Sequence, residues 1–276
     1  MTFSIAVITG GAGDIGRAIA MRLAESHDHV VLVDIDEAKA NEVTATLNKS
    51  METRVQNQEN ERFTYVVCDI TDPTQVADLA RKVFSLDGDV LTLVNNAGAT
   101  YSPSLQRTTP EIWKRETALN VDAPFLIFHA FADSLKRTSG SVVNIASVNG
   151  LAVFGNPAYS AAKAGLIHFT RSIAVEYAKF GVRANAIAPG TVRTNVWRDR
   201  VAANPHVFEE VMQWYPLKRT VDPADVANAV SFLSNKELAA AITGLRRYHP
   251  IKRPGFFGND ITVKPFPSLC SPLVLE

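Results

Sequence analysis

The chain has 276 residues, 46% of them hydrophobic, and its 28 basic residues balance 28 acidic ones to a formal charge of zero. A neutral surface has no global field to attract nucleic acid or an anionic membrane, so the expected partner is a small molecule. Cys68 and Cys270 give neither a disulfide framework nor metal-ligand spacing, and the six histidines form no H-x-x-x-H pair; no metal is expected, and the compartment is expected to be reducing.

The first expected strand, Ile5 to Thr9, runs straight into glycines without the basic and long apolar regions of an export signal. No stretch reaches the roughly 20 apolar residues that span a bilayer, so a cytoplasmic protein is expected. The strand ends in Thr9-Gly10-Gly11-Ala12-Gly13-Asp14-Ile15-Gly16 and a helix follows, Ile15 to Ser26. Glycines let backbone approach a pyrophosphate, and the free N–H groups and positive dipole end of the helix stabilise its charge.

A second strand, Val30 to Asp34, places Asp34 eighteen residues past Gly16, where dinucleotide-binding folds put the acid that hydrogen-bonds the adenosine ribose. A carboxylate there repels a 2′-phosphate, and neither Gly13 nor Ile35 supplies an offsetting cation, so the expected cofactor is NAD. Asp36 competes with Asp34 to cap the next helix, Glu37 to Leu47, and Lys49 to Glu61 reads as a solvated loop.

The alternation then continues: strand Phe63 to Asp69, helix Pro73 to Phe84, strand Val90 to Asn95, one long helix Thr109 to Leu135, strand Ser141 to Ser147, helix Pro157 to Phe180, and strand Val182 to Ala188. Strand and helix in turn imply right-handed βαβ units, hence a single α/β domain. The expected form is a doubly wound, Rossmann-like parallel sheet with helices on both faces and ligands at the carboxyl ends of its strands.

Within the helix opened by Pro157, Tyr159 and Lys163 lie one turn apart on one face. The cation is expected to favour the phenolate and lower the tyrosine pKa from roughly 10, making a general acid/base. From Thr194 to Trp214 the segment reads equally as a lid or as a surface helix pair, and Arg198 or Arg200 could bind an anionic polyhydroxy substrate. Asp222 is expected to cap a last helix, Pro223 to Leu233.

Taken together, the loop Thr9 to Gly16, Asp69, Asn95-Asn96-Ala97-Gly98, Asn120, Ser147, Tyr159, Lys163 and Pro189 to Thr194 resemble the short-chain dehydrogenase/reductase family. The resemblance implies a dehydrogenase domain over residues 1–244, with a substrate lid near 191–215 and an atypical tail over 245–276. It implies catalytic roles for Asn120, Ser147, Tyr159 and Lys163. For the cofactor it implies contacts from Gly10, Asp14, Ile15, Gly16, Asp34, Ile35, Asp69, Ile70, Asn96, Ala97, Gly98, Tyr159, Lys163, Pro189, Gly190, Val192 and Thr194. The implied reaction is hydride transfer between NAD and a secondary alcohol such as a sugar, polyol or hydroxy acid, in a homodimer or homotetramer. A 3-oxoacyl-type ketoreductase and a catalytically silent dinucleotide-binding protein are the rival readings.

Two positions depart from the family pattern. Asp14 stands where a glycine is usual, and it is expected to cap the helix beginning at Ile15 and to turn its oxygens toward backbone N–H groups. After Gly244, Leu245 to Pro254 carries two prolines and four cations, a poor central strand. Either Asp260 to Val263 supplies the last strand, or the reading frame has shifted after Gly244.

Overall fold

The computed structural model describes residues 3–52, 61–213, 215–244 and 246–248, the last three by their backbone. Among the described residues seven strands form one sheet: β1 Ser4–Thr9, β2 His29–Asp34, β3 Phe63–Val67, β4 Asp89–Asn95, β5 Ser141–Ile145, β6 Arg183–Ala188 and β7 Arg246–Tyr248. Their order is β3-β2-β1-β4-β5-β6-β7, with every pairing parallel. The chain winds outward from β1 in one direction and from β4 in the other, so a crevice opens between their carboxyl ends.

The apolar runs that mark the strands are buried on both faces; Ile5, Ala6, Val7 and Ile8 are all inaccessible to solvent. On one face, helices α3 (Pro73–Phe84) and α5 (Ala123–Thr138) pack through Val76, Leu79, Ile127 and Phe131. On the other, α1 (Asp14–Leu23), α2 (Glu37–Glu52) and α9 (Pro223–Ser234) pack through Ile19, Leu23, Leu47 and Val230. The fold is therefore the expected single α/β domain. Asp222 and Asp225 form a capping box at the start of α9, which fixes that helix where Asp222 was expected to begin it.

Three expectations change. The long helix of Thr109 to Leu135 is broken into α4 (Pro110–Thr117), a π-helical turn over Ala118–Asp122, and α5. Pro124 has no N–H to donate back to Asn120 in α register, so the ladder is interrupted one turn upstream. Helix α2 runs on to Glu52, so Lys49 to Glu52 is helical; the rest of the expected loop, 53–60, lies outside the described residues.

The third change is β7. The stretch expected to be a poor strand does pair with β6, Ala186 opposite Arg246 through Ala188 opposite Tyr248. Its prolines argue against a central strand, but β7 is a three-residue edge strand that ends before Pro250. What leads the chain there is a set of bonds to β6. The buried Arg183 guanidinium donates to the carbonyls of Leu233, Ser234 and Ala239, Asn185 donates to Ile242, and Gly244 donates to Ala184. Asp260 to Val263 lies outside the described residues, as do Cys270 and Trp214.

Between β6 and α9, a 3-10 turn (Asn195–Trp197) leads to α7 (Arg198–Ala203) and α8 (Val207–Met212); α6, before β6, spans Pro157–Tyr177. The two short helices expose most of their side chains, and Trp197 meets Phe208 at 5.6 Å between ring centres.

Candidate active site

A cavity of about 600 Å³ opens at the carboxyl ends of β1 to β4, the crevice that the strand order creates. Its floor is the glycine loop. Gly10 takes φ +63°, a conformation costly for a residue with a Cβ, and a Cβ on Gly16 would strike the Gly10 carbonyl. Gly16 thus acts by letting α1 pack against the loop; Gly10, Asp14 and Ile15 line the cavity themselves.

Asp14 corrects its expected role. Gly13 is the N-cap of α1 and makes no side-chain cap, while Asp14 is the first helical residue. Its carboxylate is turned to a backbone N–H as expected, but to one 181 residues away: Oδ2 accepts from Asn195 N at 2.7 Å and Oδ1 from Asn195 Nδ2 at 3.0 Å. Asp14 therefore clasps the segment after β6 to the glycine loop.

Asp34 lies at the end of β2 with both oxygens held. Oδ2 accepts from Ala12 N at 3.0 Å, and Oδ1 from Ile35 N at 2.9 Å and Asp36 N at 3.3 Å. Capping of α2 falls to Asp36, which accepts from Lys39 N. Asp34 is thereby left at the cavity wall beside Ile35. Further along, Asp69 accepts from the Thr71 N–H and hydroxyl, next to Ile70 and Cys68. Burial pushes the Cys68 thiol up to about 11, so it is an apolar wall atom at neutral pH.

The Asn95 to Gly98 segment fastens β4 to the loop. Asn96 Nδ2 donates to the carbonyls of Thr9 and Gly10, and Asn96 N and Ala97 N both donate to the Thr9 hydroxyl. Gly98 is the partition between the cavity and a second cluster. A Cβ there would lie 2.7 Å from Asn120 Oδ1 and 3.1 Å from Lys163 Nζ, so only glycine lets those two groups approach the wall.

That second cluster unites all four side chains given catalytic roles by the resemblance. Ser147 ends the run after β5; its hydroxyl accepts from Asn149 N at 3.2 Å and lowers the pKa of the neighbouring Tyr159 phenol. Lys163, buried, donates from Nζ to the Ile145 carbonyl at 2.9 Å and stands 5.5 Å from the centre of the Tyr159 ring. Asn120, in the π-helical turn, donates to the carbonyls of Ala99 and Glu116 at 2.8 Å each, while its Oδ1 is buried without a partner. The turn redirects Asn120 inward, and helical period alone could not show it.

The electrostatics differ from the expectation. Burial raises the Tyr159 pKa above the ordinary value of a phenol, opposed by the Ser147 hydrogen bond and reinforced by the charge of Glu116. Lys163 does not offset this, because burial lowers its own pKa from 10.5 to about 7 and leaves the cation only partly formed at neutral pH.

The Pro189 to Thr194 segment is placed by contacts on both sides. Val148 N donates to the Pro189 carbonyl, Thr191 N donates to the Tyr215 hydroxyl at 2.5 Å, and Val192 bridges to Val221. Buried Tyr215 fills the space against Gly190. Thr194 reaches the cavity with Asn195 and Val196; Pro189, Gly190 and Val192 support it from behind. Neither Arg198 nor Arg200 lines the cavity: the first faces Asp199 and the second stacks on Trp197.

Sequence reasoning missed several wall residues. Lys39 and Arg115 are cations on the lining, Arg115 lying 3.9 Å over the Tyr101 ring. Glu116 is wholly buried beneath the same wall. Only the helical spacing of Glu116 and Asn120, one turn apart, carried any signal for it.

These positions can be set against known proteins. The family model for short chain dehydrogenases matches residues 4–205. The chain belongs to the short-chain dehydrogenase family. Its relatives include an uncharacterized oxidoreductase of Schizosaccharomyces pombe, 32% identical over 247 residues and covering 88% of each chain. A 3-oxoacyl-[acyl-carrier-protein] reductase of Synechocystis is 34% identical over 249 residues, covering 88% of this chain and 94% of that protein. Among solved structures, a short-chain dehydrogenase/reductase family oxidoreductase from Burkholderia thailandensis superposes with a TM-score of 0.79 at 37% identity, over 91% of this chain and 92% of that one. ElxO, solved with NADP bound, gives 0.80 at 25% identity over 91% and 98%. As a short-chain dehydrogenase the protein is an NAD(P)-dependent oxidoreductase, and its cavity fits the dinucleotide, with a glycine loop at a helix N-terminus and a carboxylate at the end of β2; the unpartnered Asn120 Oδ1 lies behind its Gly98 wall. No helix among the described residues is long and apolar enough to cross a membrane.

Proposed function

We propose that the protein is an NAD-dependent dehydrogenase of a secondary alcohol, such as a sugar, polyol or hydroxy acid, with Tyr159 as general acid/base. The observation that carries this reading is the cluster behind the Gly98 wall of the cavity, where Asn120 and Lys163 approach Gly98 and Tyr159, with Ser147, lies beside Lys163. Gly10, Ile15, Asp34, Asp69, Asn96 and Thr194 would hold the cofactor, whose nicotinamide accepts the carbinol hydride when bound. The Ser147 hydroxyl holds the substrate oxygen, and Tyr159 takes its proton in oxidation and returns it in reduction. Lys163 is poised to pass a proton beside the phenol, since its pKa of about 7 lets it both accept and release one near neutrality.

NAD preference rests on Asp34, whose carboxylate the backbone N–H groups of Ala12 and Ile35 fix at the adenosine end. Lys39 on the same lining favours a second reading, an NADP-using reductase of 3-oxoacyl type, as in the Synechocystis relative. The test is NADH formation with a panel of alcohols and sugars, and the reverse with ketones, at matched NAD and NADP. Higher kcat/KM with NAD and polyols supports the first reading; NADPH with acyl thioesters supports the second. Phe125 on α5 and Val175 on α6 expose large apolar surface, which supports self-association through these helices. Light scattering should give a dimer or tetramer mass.

A further inference from the structure

Glu116 is the only buried residue of α4 and has no solvent exposure, an expensive place for a carboxyl group. Its two oxygens are used unequally. Oε1 accepts from the backbone N–H groups of Tyr101 and Ser102, the latter at 3.0 Å, and from the Thr100 hydroxyl at 3.3 Å. Oε2 is buried and has no partner.

The three donors belong to the stretch after Gly98 that forms the cavity wall. The Thr100 hydroxyl in turn accepts from Asn156 Nδ2 at 2.8 Å, and the same amide donates to the Ser102 carbonyl at 3.1 Å. Asn156 is the left-handed residue that starts α6, three positions before Tyr159. A continuous chain of hydrogen bonds therefore runs from Glu116 through the wall to the helix that carries the phenol. On the other side, the Glu116 carbonyl accepts from Asn120.

We infer that Glu116 is a positioning residue for the reaction: it pins the Thr100 to Ser102 wall to the start of α6 and places a negative charge behind the Tyr159 phenol. The charged side chains facing the phenol are then Lys163, from α6 itself, and Glu116, from α4, while the neutral Ser147 faces it from the turn after β5. Lys163 is half neutralised near pH 7, so the acid opposite has a larger share of the field than a fully charged pair would leave it. Glu116 works against ionisation of Tyr159, the direction in which burial also acts.

The inference uses the proposed dehydrogenase chemistry only for its kinetic readout. The substrate-free readout is a phenolate titration at 295 nm, taken as the difference between wild type and Tyr159→Phe, and repeated between Glu116→Gln and the double variant. Removing the charge should move the Tyr159 midpoint down by roughly half a unit or more, and should move the limb of kcat that reports Tyr159, the acidic one for alcohol oxidation, in the same direction with KM for NAD unchanged. An unmoved midpoint in a folded Glu116→Gln protein overturns the inference, whatever the enzyme's substrate proves to be. Should Glu116→Gln fail to fold, Thr100→Val breaks the chain at an exposed position. It should lower kcat several-fold with KM for NAD constant, and a kcat equal to wild type would overturn the positioning role.

Discussion

The cavity and the cluster behind Gly98 are built differently. Along the cavity, past the ends of β2 and β3, the carboxylates are held by main-chain donors: Asp34 by the N–H groups of Ala12 and Ile35, Asp69 by that of Thr71. In the cluster it is the buried side chains that reach out to the main chain. Lys163 donates to the Ile145 carbonyl, and Asn120, turned inward by a break in its helix, donates to Ala99 and Glu116. Main-chain donors survive replacement of the side chain they hold; a cluster assembled from buried side chains does not.

The sharpest break in that comparison is Tyr159→Phe. It removes one oxygen from the cluster behind Gly98 and leaves the cavity wall intact, so turnover should fall by about two to four orders of magnitude while NAD binding, read by fluorescence quenching, is retained. Activity within tenfold of wild type would mean that the convergence behind Gly98 is not where the proton moves.

Lys163→Met is expected to cost nearly as much turnover, and it carries a sign in stability. The native pKa of Lys163 is lowered from 10.5 to about 7 by burial. Between these values the unfolded chain binds a proton that the native chain does not, so the wild-type protein gains stability as pH rises from 7 toward 10.5 and bears the full cost of the buried charge below 7. The variant should therefore melt higher than wild type at pH 6, by on the order of 5 °C, with the advantage shrinking as pH approaches 10. A variant that melts lower at pH 6 would show that the ammonium is satisfied by its bond to Ile145 and costs nothing.

Asp34→Ala touches only the cavity wall. It should bring the ratio of kcat/KM for NAD over NADP down by about tenfold, because the repulsion of a 2′-phosphate disappears and Lys39 remains nearby. An unchanged ratio would pass the selection of cofactor from Asp34 to Lys39.

The same division governs what the sequence made legible. Strand runs, the glycine loop and Asp34 were readable because period, spacing and turn chemistry are local properties, and the structure places them as read. Asp222 as the residue that begins α9 was readable for the same reason. Tyr159 and Lys163 were read from their spacing and Asn120 and Ser147 from the resemblance to a family, and the field was misjudged: spacing alone made Lys163 a full cation, whereas burial, a tertiary property, half neutralises it. The break at Ala118–Asp122, the buried Glu116 and the edge strand β7 were missed because each is decided by what packs against it. The prolines after Gly244 were weighed for a central strand, and the topology put that stretch at an edge.

The Asp14 clasp joins the two kinds of construction, since a glycine-loop residue holds the segment after β6 by two bonds to Asn195. Asp14 is partly exposed and its partner belongs to a surface turn, so the clasp is worth little to global stability. Its effect should appear where the segment must open. Asn195→Ala keeps the backbone bond and removes the one from Nδ2, while Asp14→Ala removes both. NADH release, followed by stopped-flow fluorescence, should quicken by about twofold in the first and about five- to tenfold in the second. The double variant should be no faster than Asp14→Ala alone, because both changes act on one interaction. Additive rates would instead mean that Asp14 slows release through its own charge beside the glycine loop, independently of Asn195.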